Sequence, residues 1–216
     1  MTTPSMTDPT PTEPLALVVV DMQRAFLDAS VGFRFAPAAL DVVEPVNALA
    51  RRVRAAGLPV VWVLTTSRPG TEDWPSLRRL LGDEAMDHRT GVLEEGSYGH
   101  ALWPQMDVAP QDAVVRKYRY SAMAEPGGEL EGFLRARGIR RVAVVGTQTD
   151  VCCDATARDA MMAGIDVVLV EDCLAAETPE RHEAALVSLA AAFAEVVTAD
   201  ELGEQLARSA TPGAER

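Results

Sequence analysis

Short apolar segments alternate with longer amphipathic segments along most of the 216-residue chain. The apolar segments are rich in Val and nearly continuous in apolar character, which is typical of strands covered on both faces. They predict six strands, the last from a weaker pattern. The predicted strands are Leu15–Val20, Leu58–Leu64, Ala113–Lys117, Arg141–Gly146, Ile165–Val170 and Ala194–Ala199.

Four amphipathic segments carry apolar residues at helical spacing, and three of them end in Gly, a common helix stop. Because strands alternate with helices, the connections are expected to be right-handed crossovers between parallel strands. The chain is therefore predicted to be an α/β protein, a three-layer α/β/α sandwich with a six-stranded parallel sheet in the middle. The predicted helices lie within Leu40–Gly57, Gly127–Gly138, Cys152–Gly164 and Pro179–Ala194.

One segment, residues 65–111, interrupts this alternation and is rich in Gly, Pro and Trp. It is too long for a plain connection, so we predict a covering loop near the functional site. Neither an internal repeat nor a second domain is readable. The chain is predicted to form one domain, residues 14–208, between disordered tails at 1–13 and 209–216.

The composition restricts the partners and the compartment. A formal net charge of -12 argues against a nucleic-acid surface, because neutralising phosphates requires clustered Lys and Arg. Three cysteines, an odd number, suit a reducing cytosol better than a disulfide scaffold. No signal peptide is readable, and no apolar stretch approaches the length of a membrane span, about 20 residues. We therefore expect a cytoplasmic protein that binds neither nucleic acid nor membrane.

Reactive side chains follow three of the predicted strands. Asp21 follows the first strand, Lys117 ends the third, and Cys152 or Cys153 comes after the fourth, at the start of a helix. The carboxyl ends of parallel strands share one edge of the sheet, where such sheets bind ligands, so these groups should converge. Each has a plainer interpretation as a helix cap, a solvated lysine or a small buried hydrophobe. Their equivalent positions favour catalysis.

This combination suits a nucleophilic cysteine. The amino terminus of a helix and a nearby ammonium both favour the thiolate, so we expect the pKa of the cysteine to fall below about 8.5. A neighbouring carboxylate can accept the thiol proton and later activate water. The free N–H groups at the same helix start can hold an oxyanion.

Three segments resemble a known family. They are VVVDMQRAFL from Val18, VVRKYRYSAM from Val114 and VVGTQTDVCCDATARDAMMAG from Val144. In this order they resemble the signature segments of the isochorismatase-like cysteine hydrolases, which include nicotinamidases, N-carbamoylsarcosine amidases and ureidoacrylate and biuret hydrolases. The third segment is the most specific. The resemblance extends from about Leu15 to Leu206, nearly the whole chain.

The resemblance implies a catalytic triad of Asp21, Lys117 and Cys152, with Cys153 at a position often held by an apolar residue. It also implies a cis peptide bond immediately before Gln148, which aims the Gln148 N–H, together with that of Cys152, at the developing oxyanion. Such a site requires no organic cofactor. By the same resemblance we expect a homo-oligomer, either a dimer or a tetramer.

Departures from the subfamilies narrow the expected chemistry. Nicotinamidases of the family carry an Asp and His metal cluster after the second strand, whereas TTSRPGTEDWP, residues 65–75, contains no His. His88, His100 and His182 lack ligand spacing, so no metal site is predicted. True isochorismatases cleave a vinyl ether and lack the nucleophilic Cys. Its presence here implies C–N bond hydrolysis, in the amidase and ureido-hydrolase branch.

Four further residues are candidates for the substrate pocket. Phe26, Trp74 and Tyr120 are predicted to form its walls, although Phe26 suits core packing equally well. Arg119 could bind a substrate carboxylate or form a surface salt bridge.

We therefore predict a cysteine hydrolase that cleaves a C–N bond of a small linear amide, carbamoyl or ureido compound through a thioester on Cys152. Asp21 and Lys117 would assist this chemistry. The alternatives are a metal-assisted amidase of the nicotinamidase type and a non-catalytic homologue that senses redox state or binds a partner.

Overall fold

The computed structural model describes residues 14–33, 36–68 and 74–209. Its strands are β1 (Leu15–Val20), β2 (Val60–Thr65), β3 (Ala113–Lys117), β4 (Arg141–Thr147), β5 (Asp166–Ala175) and β6 (Glu195–Val197). They form one sheet in the order β3-β2-β1-β4-β5-β6, and every neighbouring pair is parallel. The predicted α/β class and the six-stranded parallel sheet are confirmed.

The helices are α1 (Arg24–Leu27), α2 (Val43–Ala55), α3 (Pro75–Leu81), α4 (Asp83–Val92), α5 (Glu129–Ala136), α6 (Asp154–Met162), α7 (Pro179–Ala190) and α8 (Ala199–Ser209). Short 3-10 turns occupy Ala29–Val31 and Pro37–Ala39, and a π-helical turn occupies Thr149–Cys153. Every helix in the described ranges is too short or too polar to cross a membrane. The predicted tails at 1–13 and 209–216 lie outside the described residues, apart from Ser209.

Alternate residues of the central strand β1 enter two separate cores. Leu17 and Val19 pack in the core that includes α2 and α8, whereas Val18 and Val20 pack in the core that includes α5, α6 and α7. All four residues are at most 1% exposed. The continuous Val run of β1 follows from this burial on both faces. Helices therefore cover both sides of the sheet, as the three-layer prediction requires.

The prediction of a covering loop at residues 65–111 is wrong, because this segment contains two helices. Gly82, with a φ of 85°, separates α3 from α4. In α4 the buried residues are Met86 and Arg89, so the helix lacks the repeated apolar positions that mark an amphipathic helix in a sequence. Its helical character is therefore not readable from hydrophobic periodicity.

Helix α8 is a second difference, because the sequence pattern predicts strand up to Ala199, where this helix begins. Thr198 and Glu201 form a capping box. The Thr198 N–H donates to the Glu201 carboxylate over 2.8 Å, and the Glu201 N–H donates to the Thr198 hydroxyl over 3.2 Å. Leu202 and Leu206, four residues apart on α8, are buried. The capping box is a sequence signal that identifies this helix start.

Strand β4 passes very close to β1 at Gly146. The φ of Gly146 is 104°, and a Cβ atom at this position would lie 2.2 Å from the carbonyl oxygen of Val20. The pairing of β4 with β5 also shifts its register here. Since glycine alone tolerates both the conformation and the close approach, it lets β4 run alongside the end of β1, next to Asp21.

Candidate active site

Asp21 follows β1 with a φ of 53°, a backbone conformation that is uncommon for residues other than glycine. It is 1% exposed. The N–H of Thr65, at the end of the neighbouring strand β2, donates to Oδ1 over 3.0 Å, and the Thr65 hydroxyl donates to Oδ2 over 2.9 Å. Thr65 thus orients the carboxylate. The sequence signals for this residue are its place at a strand end and its position in the segment VVVDMQRAFL.

Lys117 reaches the same carboxylate from the end of β3. Its Nζ lies 2.8 Å from Asp21 Oδ2 and also donates to the Thr65 hydroxyl and to the Arg119 carbonyl. Burial acts to lower the pKa of this ammonium, but the negative charge of Asp21 and hydrogen bonding with Asp21 and Cys152 outweigh burial and raise the pKa. Lys117 is therefore a buried ammonium and not a solvated lysine.

Cys152 lies in the π-helical turn between β4 and α6 and is 7% exposed. Asp21 and Lys117 both lie close enough to act on its thiol by charge and by hydrogen bonding. The strands that deliver these groups, together with β2 and its Thr65, are neighbours in the order β3-β2-β1-β4. The structure thus brings the three sequence-derived candidates into direct contact at one edge of the sheet.

The pKa of the Cys152 thiol is not lowered, contrary to the prediction. Burial raises it to about 12, while the Lys117 ammonium acts in the opposite direction and the Asp21 carboxylate adds to the rise. The prediction neglected burial, which disfavours the charged thiolate. In addition, regular helix begins only at Asp154, after the cysteine. The thiol is therefore protonated at neutral pH.

We expect alkylation of Cys152 by iodoacetamide to accelerate by about tenfold per pH unit between about pH 7 and about pH 10, without a plateau. The reason is that the thiolate fraction rises tenfold with each pH unit below the pKa, which is about 12 here. Mass spectrometry of the labelled peptide over time measures the rate. A plateau reached near neutral pH would instead show a stabilised thiolate.

Cys153 has a different environment from its neighbour. It is 0% exposed and packs in the apolar core that includes α5, α6 and α7. Burial raises its pKa well above the ordinary value. Unlike Cys152, it is not among the pocket-lining residues in the described part of the chain. Cys153 therefore serves packing in this structure.

The peptide bond between Thr147 and Gln148 is cis, as predicted. The Gln148 carbonyl accepts hydrogen bonds from the N–H groups of Val151 and Cys153, each over 3.1 Å. Gln148 and Cys152, the two residues expected to hold the oxyanion, line the same pocket.

That pocket reaches Cys152 and spans about 420 Å³ of empty space, part of which is open solvent. Phe26 and Tyr120, two of the predicted pocket residues, belong to its wall. Its polar lining includes Thr65, Arg89 and Gln148. The apolar lining residues are Phe26, Phe33, Leu81, Leu93 and Val151.

The other two predicted pocket residues lie behind the wall. Trp74 packs edge-on against Tyr120, with the ring centroids 4.9 Å apart. The guanidinium carbon of Arg119 lies 5.1 Å from the Trp74 ring centroid, and its Nη1 donates to the Tyr118 carbonyl. Neither residue contributes to the pocket lining within the described ranges. Trp74 and Arg119 therefore support the wall rather than form it.

Arg89 lines the pocket without a sequence signal that points to it. It lies on α4 and is 5% exposed. Its Nη1 donates to the Ser67 hydroxyl over 3.4 Å, and its guanidinium carbon lies 5.5 Å from the Trp74 ring centroid. Arg89 thus places a cationic group in a mostly apolar wall.

The histidines make contacts that do not resemble a metal site. His100 and His182 hydrogen-bond through ring nitrogens with threonine hydroxyls, each over 2.9 Å, and His88 is exposed on α4. In the residues that the structure describes, no group of three or more His, Cys, Asp and Glu side chains is placed to hold a metal ion. Residues 69–73, within the segment where the resemblance would place a nicotinamidase cluster, lie outside the described residues.

The family model for the Isochorismatase domain matches residues 15–201, most of the chain. The chain belongs to the isochorismatase family. This confirms the resemblance of the three signature segments.

One similar protein is the ureidoacrylate amidohydrolase RutB of Azorhizobium caulinodans. It is 32% identical over 190 residues, which cover 81% of this chain and 82% of the relative. A cysteine hydrolase structure from Pseudomonas syringae has a TM-score of 0.82 at 25% identity, and the match covers 94% of this chain and 100% of that one. An N-carbamoylsarcosine amidase structure from Thermoplasma acidophilum has a TM-score of 0.69 at 29% identity, over 86% and 96% of the two chains. The family and its amidohydrolase members indicate a hydrolase acting on C–N bonds, the predicted enzyme class.

Proposed function

We propose that this isochorismatase-family enzyme hydrolyses the C–N bond of a small linear amide, carbamoyl or ureido compound through a thioester on Cys152. The observation that carries the proposal is the buried contact of Cys152 with Asp21 and Lys117 beside an open pocket. The three groups supply a nucleophile, a proton acceptor and a fixed positive charge.

The first step couples proton transfer to attack. Because burial raises the pKa of Cys152 to about 12, the thiol does not ionise beforehand at neutral pH. Asp21 accepts the thiol proton while the sulfur forms a bond to the substrate carbonyl carbon. Lys117 remains charged, stabilises the developing negative charge on sulfur and holds the carboxylate in place.

The second step releases the nitrogen. The backbone N–H groups of Gln148 and Cys152 stabilise the oxyanion of the tetrahedral intermediate. When the carbonyl re-forms, the C–N bond breaks and Asp21 gives its proton to the departing ammonia or amine. Asp21 then deprotonates a water molecule that attacks the thioester, and the proton returns to the sulfur as the acid leaves. The cycle consumes one water and requires no organic cofactor.

The similar proteins support this choice of substrate. They are named for ureidoacrylate and N-carbamoylsarcosine, in which a carbonyl group is bonded to nitrogen. The pocket beside Cys152 is small, and its wall is mainly apolar. A compact linear compound fits these properties.

A screen for ammonia release over amide, carbamoyl and ureido compounds tests the proposal. We expect turnover of at least one compound, an acylated Cys152 in samples quenched during turnover, and activity that survives complete chelation. Loss of turnover on chelation would favour the metal-assisted alternative. Absence of turnover combined with rapid oxidation of Cys152 by mild peroxide would favour the redox alternative.

Arg89 is expected to select substrates that carry a carboxylate, because a guanidinium donates paired hydrogen bonds to carboxylate oxygens. Arg89→Gln should raise KM for an acidic substrate by about 10- to 100-fold, the loss expected for charge-assisted hydrogen bonds. The KM of the matched neutral amide should stay unchanged. Steady-state kinetics on the two compounds measure this difference.

Arg119→Gln is the comparison for this prediction, because Arg119 is the arginine that the sequence suggests for the same role. Its guanidinium lies behind the pocket wall, so the acidic substrate should be affected less than by Arg89→Gln. An equal rise of KM for the acid and the neutral amide in Arg89→Gln would show a structural role for Arg89 instead.

A further inference from the structure

The start of α7 contacts the turn that carries the nucleophile, Thr149–Cys153, called the nucleophile turn below. His182 Nδ1 lies 2.9 Å from the Thr149 hydroxyl. Arg181 Nε and Nη2 each lie 2.6 Å from Oδ2 of Asp150. Two consecutive residues of α7 therefore bind the two residues that open the turn.

The nucleophile turn has weak internal support for its geometry. It is π-helical, a conformation that is rare and interrupts the regular hydrogen-bond pattern of a helix. Two of its N–H groups, those of Val151 and Cys153, share one acceptor, the carbonyl of Gln148. A turn of this kind depends on contacts with other elements to hold one conformation.

We infer that His182 and Arg181 are positioning residues, which hold the nucleophile turn so that the Cys152 thiol keeps its contacts with the carboxylate and the ammonium. Neither residue is among the described pocket-lining residues, so both act through the turn and not on substrate. The inference rests on the proposed role of Cys152 as the nucleophile.

The contact of His182 with Thr149 is expected to hold the nucleophile turn more strongly than the ion pair between Arg181 and Asp150 does. Thr149 is 0% exposed, whereas the side chain of Arg181 is 40% exposed, and ion pairs at such sites contribute little because water screens them. Burial lowers the pKa of His182, so its ring is neutral, and the tautomer of the ring decides whether Nδ1 or the Thr149 hydroxyl donates the hydrogen bond.

Thr149→Val and His182→Phe test the inference, since each removes the hydrogen bond and preserves side-chain shape. We expect each variant to lower kcat by about tenfold, as for the loss of one buried hydrogen bond. KM should remain unchanged. The double variant should lose no more than either single variant, because both remove the same interaction. Iodoacetamide labelling of Cys152 should accelerate, because a loosened turn exposes the thiol and lowers its pKa.

Two variants serve as controls. Thr149→Ser retains the hydroxyl and should restore kcat to near the wild-type value. Ser188→Ala removes a hydrogen bond that α7 makes with Arg158 of α6, and not with the turn, so kcat and labelling should be unchanged. Thermal unfolding of every variant shows whether the fold is intact.

Single variants with unchanged kcat and labelling would overturn the inference, as would a raised KM with kcat intact. If Thr149→Val does not fold, His182→Phe carries the test, because His182 is only half-buried. Failure of the proposed function can be distinguished from failure of this inference. Turnover retained in Cys152→Ala would refute Cys152 as the nucleophile, whereas the labelling rate reports the position of its thiol without any substrate.

Discussion

Replacing Cys152 with alanine is expected to abolish turnover, the acyl-enzyme and alkylation at this position together. The Cys152 thiol is the sulfur that contacts Asp21 and Lys117, and without a nucleophile only binding and oxyanion stabilisation remain. We expect kcat to fall by about 10⁴-fold or more, as for other enzymes that lose a nucleophile. The free energy of unfolding should change by at most about 1 kcal/mol, since a single small side chain is altered. Ammonia release measures turnover, intact-protein mass spectrometry detects the acyl-enzyme and the alkylated protein, and thermal unfolding measures stability.

Cys153 supplies the matched control one residue away. Successive residues of a helical turn point in different directions, and of the two thiols only that of Cys152 is among the described pocket-lining groups. Cys153→Ala should retain turnover within about fivefold and cost only modest stability, because its side chain serves packing. If Cys153→Ala abolished labelling while Cys152→Ala preserved it, the nucleophile assignment would be one residue wrong. The proposed oxyanion donors would then have to move with it.

The central sheet and its reactive edge could be predicted because their signals are local. The Val-rich run of β1 reflects burial on both faces, and its partners show the same pattern. Asp21 and Cys152 follow strands directly or within a few residues, and Lys117 ends one, so the parallel topology places all three at one edge.

The remaining features depend on tertiary packing that no short pattern records. Arg89 lies in the pocket wall because α4 places it beside Trp74 and Ser67, and α4 itself has too few buried apolar positions to be predicted. The pKa of Cys152 depends on how far the fold removes the thiol from water. Charge and helix position, which the sequence reveals, predict the opposite direction.

Asp21 is the other residue whose replacement should have a large effect. Asp21→Asn is expected to lower turnover by about 10²- to 10⁴-fold, because an amide cannot accept the thiol proton or return it to the departing nitrogen. Asparagine is the suitable replacement, since it tolerates the positive φ of 53° better than most residues. Stability should also fall, because Lys117 loses the carboxylate 2.8 Å from its Nζ and becomes an uncompensated buried charge.

Labelling of Cys152 separates lost proton transfer from general damage to the site. The Asp21 carboxylate acts to raise the pKa of Cys152, so its removal leaves burial opposed by Lys117 alone and lowers that pKa. We therefore expect iodoacetamide to label Cys152 in Asp21→Asn faster than in the wild-type enzyme at the same pH, while turnover falls. Labelling and turnover that fall together, with a lowered unfolding temperature, would mean that Asp21 mainly maintains the structure. Near-normal turnover would remove Asp21 from the mechanism, because the thiol proton would then have another acceptor.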